Sequence, residues 1–197
     1  MAVAVVFDFG YTLVDEDRVW RQTAARLGCP ESVFFAALGA VIERRGHHGD
    51  VFRLLGVNGR PDPIPFEPED FYDDAAPCIR ALKEQGHAVG IAGNFSVEIE
   101  EFLGENVEAD FIASSERWGV EKPSQEFFAR VVSEAGCAPA DISYVGDRVD
   151  NDVVPSATAG MAAHFLVRGP WAFIQKDWPE ADRASVRLND LASLAAA

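Results

Sequence analysis

Four ionisable side chains are placed so that one fold could bring them together: Asp8, Lys122, Asp147 and Asp152. Asp8 ends the apolar run in "VAVVFDFGYTLVDE", just before a turn at Gly10. Lys122 follows "SSERWGVE" and precedes Pro123, and the two later aspartates lie in "GDRVDND", Gly146 through Asp152. Carboxylates that meet repel one another unless a cation or a proton intervenes. A pocket lined by carboxylate oxygens suits a hard ion such as Mg²⁺, which takes one or two carboxylates, waters and a substrate phosphate. A lysine beside an aspartate favours the ionised, nucleophilic carboxylate and helps to neutralise a phosphoryl group in transfer. Each residue also has an ordinary explanation when taken alone. Asp8 could be a turn residue or a helix cap, and Lys122 a surface lysine held extended by the following proline. Only their positions relative to strand ends lift them above those readings.

The elements that would position them are legible as short apolar runs. Val3–Phe7, Ala88–Ala92, Phe111–Ala113, Ile142–Val145 and Ala163–Val167 lack polar alternation, as strands covered on both faces do. Helical patterns separate most of them. Asp73–Gln85 opens with acidic residues, carries Pro77 in an early turn and stops at Gly86; Ser124–Ala135 buries Phe127, Phe128, Val131 and Val132 and stops at Gly136. Strands alternating with helices predict right-handed crossovers and an α/β fold with a parallel, doubly wound sheet. Ligands of such sheets sit at the carboxyl ends of the strands. The residues just past those ends are Asp8 and Gly10, then Gly93 and Asn94, then Lys122, then Asp147 and Asp152.

The stretch between the first two strands is far longer than one crossover needs. Val19, Trp20, Thr23, Ala24 and Leu27 fall on one helical face; Val33, Phe34, Ala37, Leu38, Val41 and Ile42 mark a second helix and Val51–Leu55 a third. "VNGRPDPIPFEPED" brings the chain back through four prolines, which cannot continue a helix. Residues 15–69 therefore read as a small helical cap, inserted into a core made of residues 1–14 and 70–197.

"FDFGYTL", "GIAGN", "KP" and "VGDRVDND", in this order and at strand ends, resemble the four motifs of the haloacid dehalogenase-like (HAD) hydrolases. The resemblance extends over essentially the whole chain, including the helical insertion and "RGPW" (Arg168–Trp171). It implies a Rossmann-like core, a Mg²⁺ cofactor, and hydrolysis of a small phosphorylated metabolite through an aspartyl-phosphate. It implies Asp8 as nucleophile and metal ligand, Lys122 as the lysine of the third motif, Asp147 as a metal carboxylate and Asp152 as its supporting carboxylate. The backbone carbonyl of Gly10 would complete the metal contacts, and Gly93 and Asn94 would bind phosphate beside Lys122. Two positions depart from the pattern. Phosphatases of the family carry a proton-shuttling aspartate where Gly10 stands, and a Ser or Thr hydroxyl where Gly93 stands. Ser96, Ser114 and Thr12 are candidate substitutes for that hydroxyl. Restoring the shuttle as Gly10→Asp is expected to raise turnover unless Gly10 has a positive φ.

Composition narrows the alternatives. A net charge of −15 leaves no excess of Lys and Arg to neutralise nucleic-acid phosphates. Three cysteines, Cys29, Cys78 and Cys137, with no CxxC spacing suit a reduced, cytoplasmic protein. The N-terminus lacks the basic region and cleavage site of a signal peptide, and no apolar run is long enough for a membrane span. His47 and His48 read as a cap loop, Arg44, Arg45 and Arg53 as a solvated helix face, Asp150 as a loop carboxylate, and Trp171 as packing. Two rival functions remain: a catalytically weak relative that binds a phosphometabolite or a protein partner, and a hydrolytic dehalogenase. The latter chemistry needs no metal, whereas "GDRVDND" keeps the metal-binding acids.

Overall fold

Val5, Phe7, Val89, Ile91, Val145 and Phe165 are almost wholly withdrawn from water, and they sit on strands of one sheet. The computed structural model describes residues 3–59 and 61–195; Arg60 of the proline-rich return and the two residues at each end of the chain lie outside the described residues. The strands are β1 (Ala4–Phe7), β2 (Ala88–Gly93), β3 (Phe111–Ser114), β4 (Ile142–Gly146), β5 (Ala162–Leu166) and β6 (Val186–Leu188). They pair in the order β3-β2-β1-β4-β5-β6, and every pair is parallel. β1 is central: Phe7 is in register with Ile91 on one side and Val145 on the other. Strand order reverses beside β1, so the crevice between the ends of β1 and β4 is the topological switch point where such sheets place a ligand. The first five strands match the apolar runs. β6 has no such signature, since two of its three residues are exposed and it reads "VRL".

The helices are α1 (Asp17–Arg26), α2 (Glu31–Glu43), α3 (Asp50–Leu54), α4 (Ala75–Glu84), α5 (Val97–Asn106), α6 (Ser115–Trp118), α7 (Gln125–Ala135), α8 (Val154–Thr158), α9 (Gly169–Gln175) and α10 (Ala192–Ala195). The capping residues act as expected. Ser124 Oγ accepts the Glu126 N–H at the start of α7, and Gly136 ends that helix with φ 65°. Among the described residues no single helix is long and apolar enough to cross a membrane.

α1–α3 form the insertion between β1 and β2. Its two linkers run side by side: Val14 bridges Phe71 in antiparallel fashion, Asp15 N–H donates to the Asp70 carbonyl, and Tyr72 N–H donates to the Leu13 carbonyl. Arg18 of α1 grips the Asp70 carboxylate through two nitrogens, at 2.7 and 2.6 Å. Phe34, Leu38, Val41 and Ile42 of α2 are buried, whereas Val33, placed on the same face by periodicity, is 47% exposed. The insertion does not bury its face alone. Trp171 and Ile174 of α9 join the same cluster, and the Arg45 guanidinium pairs with Glu180 while lying 4.1 Å over the Trp178 ring. Arg45 is thus a tie to the sheet-bearing part of the chain and not a solvated helix residue. Arg53 pairs with Asp50 within α3.

Candidate active site at the carboxyl edge of the sheet

β1 ends at Phe7 and β4 at Gly146, so the next residue on each, Asp8 and Asp147, emerges at the switch point from neighbouring strands. A single turn of π-helix over Val149–Val153 brings Asp152 back to the same edge. Carboxylate oxygens of Asp8, Asp147 and Asp152 lie within 4.8 Å of one another, and all three residues are buried. Among the described residues this is the one group of three or more such ligands. Cys29, Cys78 and Cys137 are unpaired, and His47 and His48 stack with ring centroids 4.0 Å apart.

Lys122 holds this cluster together. Its Nζ contacts Asp8 Oδ1 at 2.7 Å and donates to Asp152 Oδ1 at 2.6 Å, with the side chain 2% exposed. Burial works against its charge, but Asp152 and Asp8 outweigh it and hold the ammonium well above the ordinary lysine range. Asp152 is saturated, since its Oδ2 also accepts the Arg148 N–H at 2.9 Å. Burial pushes its carboxyl up and Lys122 pulls it back, leaving it at about 6. Asp147 has no such relief. Burial, followed by the charges of Asp152 and Asp8, drives its carboxyl well above the usual range. Its Oδ2 is buried without a hydrogen-bond partner. A buried carboxylate oxygen left unpartnered beside two other carboxylates calls for a cation or a proton.

Asn94 fixes the lysine through the backbone. Its amide donates to the Lys122 carbonyl at 2.9 Å and accepts the Lys122 N–H at 2.7 Å. The side chain is therefore committed, and a phosphate contact by Asn94 would have to come from its backbone N–H. Gly93 has a steric reason to be glycine: a Cβ there would lie 2.5 Å from Asp8 Oδ1 and 2.9 Å from the Phe95 ring. Of the hydroxyls considered as substitutes, Ser114 is bound to Glu100 at 2.7 Å and Ser96 to Glu98. Thr12 is buried, and its Oγ1 has no partner.

Gly10 differs from expectation. Its φ is not positive; the left-handed residue of this turn is Tyr11, at φ 48°. What fills the space beside Gly10 is Glu16. A Cβ on Gly10 would lie 2.8 Å from Glu16 Cδ and closer still to Oε1. Glu16 Oε2 accepts the Trp20 indole N–H at 3.2 Å. Burial, offset by that hydrogen bond and then reinforced by the charge of Asp8, raises the Glu16 carboxyl to about 7. Sequence reasoning passed over Glu16 because it stands in an acidic run, Asp15–Asp17, with nothing to mark one carboxylate of the three.

Asp150 is not a free loop carboxylate either. It accepts from Arg148 at 3.0 and 2.7 Å and from Gln175 at 3.1 Å. The Arg148 guanidinium lies 3.7 Å over the Trp171 ring, so Trp171 both packs in the insertion's core and seats this arginine. A cavity of about 670 Å³ lined by Phe71, Ile79, Arg80 and Val107 is separate from the carboxylate edge and shares none of its residues.

Comparison with known proteins agrees with this geometry. The sequence pattern of the haloacid dehalogenase-like hydrolases matches residues 3–160. A glyceraldehyde 3-phosphate phosphatase of Methanocaldococcus jannaschii is 32% identical over 128 residues, which make up 62% of this chain and 54% of that protein. This chain spans about half the length of the curated phosphatases it matches. Among solved structures, L-2-haloacid dehalogenase from Xanthobacter autotrophicus superposes with a TM-score of 0.72 at 18% identity, covering 100% of this chain and 98% of the other. A HAD phosphatase from Thermococcus onnurineus does so with a TM-score of 0.63 at 18% identity, covering 97% and 95%. Dehalogenases and phosphatases thus share this fold, and at such identity the likeness speaks for the fold alone. With four-fifths of its length matched by the family pattern, the chain belongs to the haloacid dehalogenase-like hydrolases.

Proposed function

We propose that this protein is a Mg²⁺-dependent phosphatase of a small phosphorylated metabolite, with Asp8 as the nucleophile. The observation that carries the reading is the unpartnered, buried Oδ2 of Asp147, grouped with Asp8 and Asp152 beside a lysine-held nucleophile. The donor set is all oxygen and strongly anionic, which fits a hard divalent cation. Asp8, Asp147 and the Gly10 carbonyl would hold Mg²⁺, with Asp152 supporting from behind. The ion would neutralise charge on a phosphate brought against the three carboxylates.

The chain's own residues supply the rest. Lys122 keeps Asp8 ionised and offers positive charge to the phosphoryl group in transfer. Asp152 and Asn94 hold Lys122 from its two ends, so little reorganisation accompanies reaction. Residues 15–69 serve as a cap that admits the substrate, and 1–14 with 70–197 as the catalytic core. The unpaired cysteines support a reducing, cytoplasmic setting.

A catalytically weak, phosphometabolite-binding relative is the second reading, favoured by one observation: Asp8 and Phe95 occupy the space a hydroxyl-bearing side chain at position 93 would need. Dehalogenation is disfavoured, because it leaves the Asp147 oxygen without a function. A panel of phosphate esters, beginning with glyceraldehyde 3-phosphate from the relatives' names, and of 2-haloacids tests these readings with Mg²⁺ and with chelator. Metal-dependent phosphate release that Asp8→Asn abolishes is the expected result. Binding of esters without turnover selects the second reading, and chelator-insensitive halide release overturns both.

A further inference from the structure

Two proton movements accompany hydrolysis of a phosphate ester through Asp8. As an Asp8 oxygen bonds to phosphorus, the ester P–O bond breaks, and the departing oxygen takes its electron pair and needs a proton. Water must then lose a proton as its oxygen attacks phosphorus, breaking the bond to Asp8 and releasing phosphate. A positioned carboxyl is suited to both. No side chain at position 10 can provide one.

We propose that Glu16 performs both transfers, its carboxyl occupying the space that a side chain on Gly10 would fill. This rests on the phosphatase reading and names the residue that reading lacks. The first support is steric. Glu16 Cδ lies 2.8 Å from where a Gly10 Cβ would be, so glycine at 10 and glutamate at 16 are complementary halves of one position. A second support comes from the neighbouring carboxylates, each of which is committed elsewhere. Asp152 is held by Lys122 and the Arg148 N–H, and Asp150 by Arg148 and Gln175. Asp15 accepts the Asp17 N–H, and Asp17 is bound by Tyr11 and Arg21. Glu16 alone pairs with no cation. Trp20 orients it through Oε2, and Oε1, the oxygen nearest Gly10, accepts no hydrogen bond from the described residues.

The chain path explains how a residue of the insertion reaches this place. After Asp8 the backbone turns on itself, with Leu13 N–H donating to the Phe9 carbonyl and Val14 bridging Gly10. Asp15 is then pinned to Asp70, and the next residue, Glu16, lies beside Gly10. Glu16 gives its proton to the departing ester oxygen and takes one from the attacking water, so it ends each cycle as it began.

The experiment compares p-nitrophenyl phosphate, whose leaving group needs no proton, with glycerol phosphate, whose alkoxide does. Phosphate release and burst kinetics are read with Mg²⁺ present for the parent, E16Q, E16A, G10D and G10D/E16A. E16Q keeps the volume and an oxygen for Trp20, so its melting temperature should match the parent's. It should lose about 10²- to 10⁴-fold on glycerol phosphate. On p-nitrophenyl phosphate it should release one burst of nitrophenol and then stall with Asp8 phosphorylated. G10D should be slower than the parent because two carboxylates compete for one space, and G10D/E16A should recover activity that E16A lacks. If E16Q proves unstable, that rescue decides. A parent active on both esters, with E16Q unchanged on each and no rescue by the double variant, overturns the Glu16 assignment and leaves the phosphatase reading intact. A folded parent that hydrolyses neither ester overturns both.

Discussion

Lys122→Met removes the one cation from the carboxylate cluster while keeping an unbranched side chain of similar length. In the parent, Nζ contacts Asp8 at 2.7 Å and Asp152 at 2.6 Å from a fully enclosed position. Breaking a buried ion pair by deleting one partner typically costs about 3–5 kcal/mol, because a charge is left without compensation. At roughly 2–4 °C per kcal/mol for a protein of this size, the melting temperature should fall by about 6–20 °C in chelator at pH 8. The loss should also depend on pH. A carboxyl whose folded pKa is raised gives stability that is present below its unfolded pKa and is lost as pH rises through the folded value. Asp152 stands at about 6 with Lys122 pulling it down; without the lysine it rises further, and its losing window extends to higher pH. Lys122→Met should therefore lie nearer the parent at pH 5, where the carboxyls take up protons, than at pH 8. Thermal melts followed by circular dichroism at the two pH values measure this. Melting temperatures equal to the parent's at pH 8, or a larger gap at pH 5, would refute the account of Lys122 as the charge that makes the cluster tolerable.

Millimolar Mg²⁺ should raise the parent's melting temperature, since it binds the folded state alone. Asp147→Asn should blunt that rise while stabilising the metal-free protein, because it removes a buried charge that has no partner; titrated melts check both. Gly93→Ser should destabilise by about 1–3 kcal/mol through overpacking against Asp8 and Phe95, measured by urea unfolding, and should not gain activity. Replacing residues 15–69 with another helical insertion should change the esters accepted while keeping the Mg²⁺-induced shift. A folded chimera with an unchanged substrate profile would remove the specificity role from this segment.

The sheet was legible because five of its strands are apolar on both faces, and such runs need no long-range information to be seen. Asp8, Lys122 and Asp147 were legible for a related reason: in a parallel sheet the residue after each strand has a known place, so one dimension of sequence maps onto one edge of the fold. β6 escaped notice since "VRL" lies at the edge of the sheet and buries only Leu188. The motif order likewise placed Asn94 near Lys122, but only the folded backbone shows its amide spent on that lysine's own peptide groups. Arg45 and Asp150 looked like surface charges because their partners, Glu180 and Gln175, are remote in sequence. The central case is Gly10. Read along the chain, it is a missing carboxylate, with Glu16 an unremarked member of an acidic run. The tertiary structure reverses that reading: a tight turn and the linker contact at Asp70 fold Glu16 back beside the glycine, and volume that one residue vacates is filled by the other. Sequence order carries the chemistry of residues that strands deliver to an edge. Which side chain occupies a given space is decided by through-space packing, and one-dimensional spacing does not encode it.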